Sequence, residues 1–181
     1  MRLVYCIYRW YIFNGGFYER RCQYMSIGFP LHIDIVGNNC TVFGGNEAAA
    51  RRAEVLLRFG AKVTVISPEL CPALEKLSAD NAVRHIPRKY FRGDCTNSQI
   101  CIAATDDNDL NIRIATECKA KSIPVNVTSP ADYGTFYFPR VILQDDLVVT
   151  IAGNAPTDKK RHLRDRLKKL IPELMNELDN E

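Results

Sequence analysis

The chain has 181 residues, 46% of them hydrophobic and 25% charged, enough for one domain of ordinary size with its own core. Its formal net charge of +3 (24 Lys and Arg against 21 Asp and Glu) resides in the first 24 residues, where Arg2, Arg9, Arg20 and Arg21 face only Glu19. A neutral remainder excludes a nucleic-acid binder working through a broad electrostatic footprint, and the leader's one apolar run, interrupted by Arg9, is too short to span a bilayer.

Residues 1–24 lack the small-residue cleavage site of a secretory signal and differ in composition from the rest. They are expected to be a non-native or mis-assigned extension, with synthesis starting at Met25. Glu19-Arg20-Arg21-Cys22 can be encoded by a purine-rich stretch suited to ribosome binding ahead of Met25. The seven cysteines (Cys6, Cys22, Cys40, Cys71, Cys95, Cys101, Cys118) form no CxxC pair and have no histidine at ligand spacing. They read as buried thiols in a reducing cytoplasm rather than as disulfides or a zinc site. His32, His85 and His162 are scattered, so no metal site is expected.

Phe29 to Val36 alternates apolar and polar residues and predicts a strand, turned by Gly37-Asn38-Asn39 into the strand ending at Gly44. Gly44-Gly45 then gives a tight turn that brings backbone N–H groups to a phosphate at a helix N-terminus. Ala53, Leu56, Leu57 and Ala61 recur at helical spacing behind it, Gly60 stops the helix, and Val63 to Ile66 form the next strand. This strand–turn–helix–strand unit is the one that lays a dinucleotide pyrophosphate on a helix N-terminus. A short helix around Ala73 to Leu77, a strand at Val83 to Pro87 and a strand at Gln99 to Ala104 follow. Thr105-Asp106-Asp107-Asn108 caps a helix from about Asp109 to Lys121, and Pro124 to Val127 is a further buried strand. Alternating strands and helices predict an α/β, Rossmann-type, doubly wound and mostly parallel sheet over 25–130.

After Ser129-Pro130 the pattern changes. Phe136 to Leu143 and Leu147 to Ala152 predict a strand pair that extends the sheet, in a dimerisation segment at 131–156. From Thr157 to residue 181 the chain is a charged helix whose Leu163, Leu167, Leu170, Leu174 and Leu178 form a seam suited to a second subunit. There are no internal repeats.

Taken together, FPLHIDIVGNNCTVFGGNEAAARRAEVLLRFGAKVTVISPE (29–69), IAATDDNDLNIRIATECKAKSIPVNV (102–127) and FYFPRVI (136–142), with a fainter match at HLRDRLKKLIP (162–172), resemble the dehydrogenase domain of siroheme synthase. That is the family of precorrin-2 dehydrogenase, some of whose members are also ferrochelatases. The resemblance implies that NAD accepts a hydride from precorrin-2 to give sirohydrochlorin, in a cytoplasmic homodimer. It also implies a truncated C-terminal helical segment, because family members commonly continue into a longer helical domain.

Carried onto this chain, the resemblance assigns Gly44, Gly45, Asn46, Glu47, Ala48 and Ala49 to the pyrophosphate turn. Asn46 stands where the family has a third consecutive glycine. Asn tolerates a left-handed backbone, and its amide can bond a phosphate, so weaker cofactor binding is expected there. Ser67 and Pro68 fall where the adenosine ribose is read, with Glu69 beside them; no arginine suited to a 2′-phosphate follows, which favours NAD over NADP. Thr105 and Asp106 are placed on the nicotinamide side, where capping of the next helix and cofactor contact can coexist. Asn126, Ser129 and Asp132 are placed on the tetrapyrrole side as candidate catalytic residues. Bifunctional members carry an aspartate where this chain has Ser129, and a hydroxyl lacks the charge a metal ion seeks. Ferrochelatase activity is therefore not expected, and a separate chelatase is implied as partner. Asp132 either reaches the site from the same loop or serves the turn. Lys159 to Arg166 is either a clamp for the substrate's carboxylates or a solvated helix face. Two alternatives stand beside this reading: a bifunctional dehydrogenase/ferrochelatase assisted by Asp132, and a non-catalytic NAD- or tetrapyrrole-binding module.

Overall fold

The computed structural model describes residues 29–145 and 147–178, together with the backbone pairing of two short strands, β1 (Ile12–Phe13) and β2 (Gly16–Phe17). Otherwise the proposed extension, the start at Met25, Cys6 and Cys22 lie outside the described residues. The body is a five-stranded sheet made of β3 (Asn39–Phe43), β4 (Lys62–Ile66), β5 (Val83–Ile86), β6 (Ile100–Ala103) and β7 (Val125–Val127). All neighbours are parallel and the order is β5-β4-β3-β6-β7, so the chain reverses its direction of growth between β3 and β6.

Three helices cover the sheet: α1 (Glu47–Arg58), α2 (Pro72–Ala79) and α3 (Asn108–Ala120). The two-residue period of the strands sorts the core into two layers. Cys40 and Val42, Val63 and Val65, and Ile100 and Ile102 pack with Ala49, Ala50, Ala53 and Leu56 of α1 and Leu74 of α2. On the other face Phe43, Ile66, Cys101, Ala103, Val125 and Val127 pack with Ile114, Ala115 and Cys118 of α3. Near-continuous apolar strands are what a parallel sheet buried on both faces requires. Gly60, at φ +77°, ends α1 in the left-handed region that favours glycine, and its carbonyl accepts from the N–H of Gly37 at 2.8 Å.

Three expectations are corrected. Phe29 to Val36 is not a strand: Phe29, Leu31 and Val36 are 88%, 72% and 71% exposed, and only Ile35 is buried. The hairpin it implied needed a free edge on β3, but β4 and β6 occupy both edges. The strand proposed from Phe136 starts at Arg140 instead, because Phe136 and Phe138 lie over α1 and β7, where the carbonyl of Phe136 accepts from Asn126 and Phe138 stacks under Arg52. Finally, β8 (Arg140–Gln144) and β9 (Leu147–Ile151) pair antiparallel as a sheet of their own and do not extend the parallel one.

The last helix, α4 (Thr157–Leu178), packs against β8, burying Ile142 and Ile171. Of its leucine seam, Leu163, Leu170, Leu174 and Leu178 remain exposed and Leu167 is half-buried. Among the described cysteines, Cys40, Cys95, Cys101 and Cys118 are buried, Cys71 is half-buried, and all five are free.

Candidate functional site

The turn after β3 is squeezed between the carboxyl ends of its two neighbours. Gly44 has φ +115°, and a Cβ there would lie 2.3 Å from the carbonyl oxygen of Ala104, beyond β6. A Cβ on Gly45 would lie 1.8 Å from the carbonyl oxygen of Glu69, beyond β4. No side chain fits at either position, so the two glycines are what lets the backbone pass through the crevice where the strand order reverses. The N–H of Gly44 bonds Ile66, and the carbonyl of Gly45 accepts from Cys71. The N–H groups of Gly45, Asn46 and Glu47 meet no protein acceptor among the described residues.

Asn46 uses no left-handed conformation. At φ −85° and ψ 175° it is an extended N-cap of α1, and its Oδ1 accepts from the N–H groups of Ala48 and Ala49, both at 3.0 Å. Its Nδ2 donates to the carbonyl of Ala104 at 2.9 Å and to Asp106 Oδ1 at 2.8 Å. Glu47 opens the helix beside this cap, and Ala49 is fully buried against the sheet.

Ser67 closes β4 and is 8% exposed; its carbonyl lies 2.9 Å from His85 Nε2. Pro68 and Glu69 then line an open cleft of about 690 Å³ with Leu70, Glu75, Ser78, Ala79 and His85. Across the crevice, the Thr105 hydroxyl lies 2.8 Å from Asn111 Oδ1 and 3.0 Å from the carbonyl of Asp107, and Asp107 caps α3 through the N–H of Leu110. Thus Gly44, Gly45, Asn46, Ser67, Thr105 and Asp106 gather at one end of the sheet.

The tetrapyrrole-side candidates separate into two environments. Asn126 is buried at 5% exposure with both ends of its amide engaged: Oδ1 accepts from Arg52 Nε at 2.9 Å and Nδ2 donates to Phe136 at 3.1 Å. Ser129 and Asp132 are exposed on the following loop, Asp132 within a short 3-10 turn (Ala131–Tyr133).

Three residues were not anticipated, two of them at this end of the sheet and the third, Glu117, towards the far end of α3. Arg52 also donates to the carbonyl of Ala48 at 3.2 Å and sits 5.7 Å above the Phe138 ring, so it joins the turn to β7. Burial, and then the neighbouring Arg51, lower its pKa from the usual guanidinium value. Its position three after Ala49 and four before Leu56, on the buried side of the helix, was the available signal. Asn111, fully buried, binds Thr105 through both amide ends and donates to the carbonyl of Ser129 at 2.9 Å, holding the two loops together. It falls in register with Ile114, Ala115 and Cys118, where a polar residue stands out. Glu117, on α3, collects donors from Tyr90, Gly93, Cys95 and Lys121.

A glycine cradle at the reversal point of a parallel sheet, with unsatisfied N–H groups at a helix N-terminus, defines a dinucleotide-binding protein of Rossmann type. The family model described as putative NAD(P)-binding matches residues 31–140, and the chain belongs to that family. It is 37% identical over 145 residues to a siroheme synthase of Methylobacillus flagellatus, covering 79% of this chain and 31% of that protein. It is 36% identical over 146 residues to a siroheme synthase of Thioalkalivibrio sulfidiphilus, covering 80% of this chain and 30% of that protein. The chain therefore spans under a third of these relatives. Among solved structures, SirC, precorrin-2 dehydrogenase, superposes with a TM-score of 0.65 at 23% identity over 78% of this chain and 70% of that one, a likeness of fold.

Proposed function

We propose that the protein dehydrogenates precorrin-2 to sirohydrochlorin with NAD as hydride acceptor. The observation that carries this is the cradle of Gly44 and Gly45, closed to any side chain by Ala104 and Glu69, in a chain similar to siroheme synthases along most of its length. The N–H groups at the start of α1, those of Gly45, Asn46 and Glu47 that are free and those of Ala48 and Ala49 that now face Asn46 Oδ1, would receive the pyrophosphate. The cleft beyond Ser67 and Pro68 suits the ribose and adenine, and Thr105 and Asp106 flank the nicotinamide side. When bound, NAD supplies the hydride-accepting carbon, and the protein's task is alignment.

Asn126 acts in this reading as a positioning residue, because both ends of its amide are committed to Arg52 and Phe136. Ser129 and Asp132 offer a hydroxyl and a carboxylate at the substrate side. The hydroxyl can orient the macrocycle, and the carboxylate can take the proton that leaves with the hydride. Ser129 brings no charge to a metal ion. Metal insertion is accordingly assigned to a separate chelatase. The exposed leucines of α4 support a homodimer, and the free buried thiols support a cytoplasmic setting; among the described residues no helix is long and apolar enough to cross a membrane.

The test is anaerobic incubation of freshly generated precorrin-2 with NAD and the protein, following NADH and the sirohydrochlorin spectrum together. Equal appearance of both products supports the proposal. Binding of both ligands without either product contradicts it and favours a non-catalytic module.

A further inference from the structure

We infer that Asn46 is an intramolecular latch on the pyrophosphate site, and that a dinucleotide binds this chain only when the Asn46 amide leaves it. The inference rests on the dinucleotide reading above and adds a determinant of affinity that the glycine pattern does not contain.

An asparagine amide has two donor and two acceptor positions, and here all four are used. Oδ1 faces the N–H groups of Ala48 and Ala49, and Nδ2 faces the carbonyl of Ala104 and the carboxylate of Asp106. The orientation is fixed by these partners, since the reversed amide would set donor against donor and acceptor against acceptor. The side chain thereby ties the first turn of α1 to the loop after β6, across the crevice where the strand order reverses. Two of the N–H groups at that helix start, which would otherwise be free for an anion, already have a carbonyl oxygen on them.

A glycine here would leave the same backbone open. The extended conformation of Asn46, φ −85° and ψ 175°, is one any residue adopts, so the asparagine serves no backbone need. What the side chain does is bond, and its bonds occupy the anion position. Ligand must therefore displace a saturated amide, regaining the two cap bonds through its phosphate oxygens while the bonds to Ala104 and Asp106 are lost.

The test compares the full-length chain with Asn46→Gly and Asn46→Ser, titrated with NAD, ADP-ribose and adenosine by calorimetry. Glycine is itself an accepted N-cap residue and the extended backbone at 46 suits it, so Asn46→Gly folds. It is expected to bind NAD and ADP-ribose about five- to tenfold more tightly than the natural chain, the factor given by one ordinary hydrogen bond that no longer has to be lost on binding, with adenosine unchanged. Serine keeps a cap oxygen but is too short to reach Ala104 and Asp106, and is expected to fall between. Equal or weaker binding of NAD by folded Asn46→Gly overturns the latch, as does an equal gain for adenosine. If neither the natural chain nor the variant binds NAD or ADP-ribose, the dinucleotide reading falls and the latch with it.

Discussion

Replacing Glu117 by glutamine tests how the α3 side of the sheet is held. The carboxylate is 8% exposed and accepts from Lys121 Nζ at 2.6 Å, the N–H of Gly93 at 2.8 Å, Cys95 Sγ at 3.1 Å and the Tyr90 hydroxyl. Burial pushes its pKa up, but the hydrogen bonds from Lys121, Tyr90, Cys95 and Gly93 outweigh burial and hold it at about 2, against an ordinary 4.5. A depressed folded-state pKa contributes stability that is complete above the unfolded value and is lost as pH falls through 4.5 towards 2. The difference converts to about 3 kcal/mol at neutral pH. Glutamine keeps the shape but not the charge, so urea unfolding at pH 7 should show a loss of about 3 kcal/mol. The gap between the two proteins should close as pH falls towards 2, because the natural carboxylate is then being protonated as well. Equal stabilities at pH 7, or a gap that stays constant down to pH 2.5, would refute the assignment of Glu117 as a stabilising anion.

Gly44→Ala puts a Cβ where the carbonyl of Ala104 lies, at φ +115°; it should destabilise by about 3 kcal/mol in urea unfolding and abolish NAD binding in calorimetry. Arg52→Ala leaves Asn126 Oδ1 buried without its donor and uncovers Phe138, so a loss of about 2 kcal/mol is expected and, under the proposed function, a raised KM for precorrin-2 as β7 loses its tie to α1. The Cys95 thiol is pushed up to about 12 by burial and then by Glu117, and Cys40 to about 11 by burial. Both should resist a thiol reagent at pH 8 in the native protein and react once it is unfolded in denaturant.

The parallel sheet was legible because its strands are apolar throughout and are separated by helices with one apolar stripe. Val42, Val65 and Ile102 could be placed in the core from the sequence pattern, and Gly44-Gly45 between a strand and a helix located the turn. What could not be read was which edges were free. Phe29 to Val36 has the alternation of a strand, yet β3 has no edge left for it, a fact of sheet order that no local pattern carries. The use of polar side chains was hidden in the same way. Asn46 invites comparison with the glycine it replaces, whereas its Nδ2 donates to Ala104 and Asp106, about sixty positions away in the chain. Asn111 and Arg52 announce themselves only as polar residues on buried helix faces, and their partners come from other loops. Glu117 is a surface carboxylate in the sequence until the 90–96 loop closes over it.

The most direct measurement of the central claim, that a dinucleotide lies across the carboxyl ends of β3 and β6, is hydrogen exchange of the backbone amides with and without NAD. Slowed exchange confined to residues 44–49, 67–70 and 104–107 is the result expected, because these segments form the walls of the crevice and the cleft beside it. Binding of NAD with those segments unchanged, and protection elsewhere, would contradict the account.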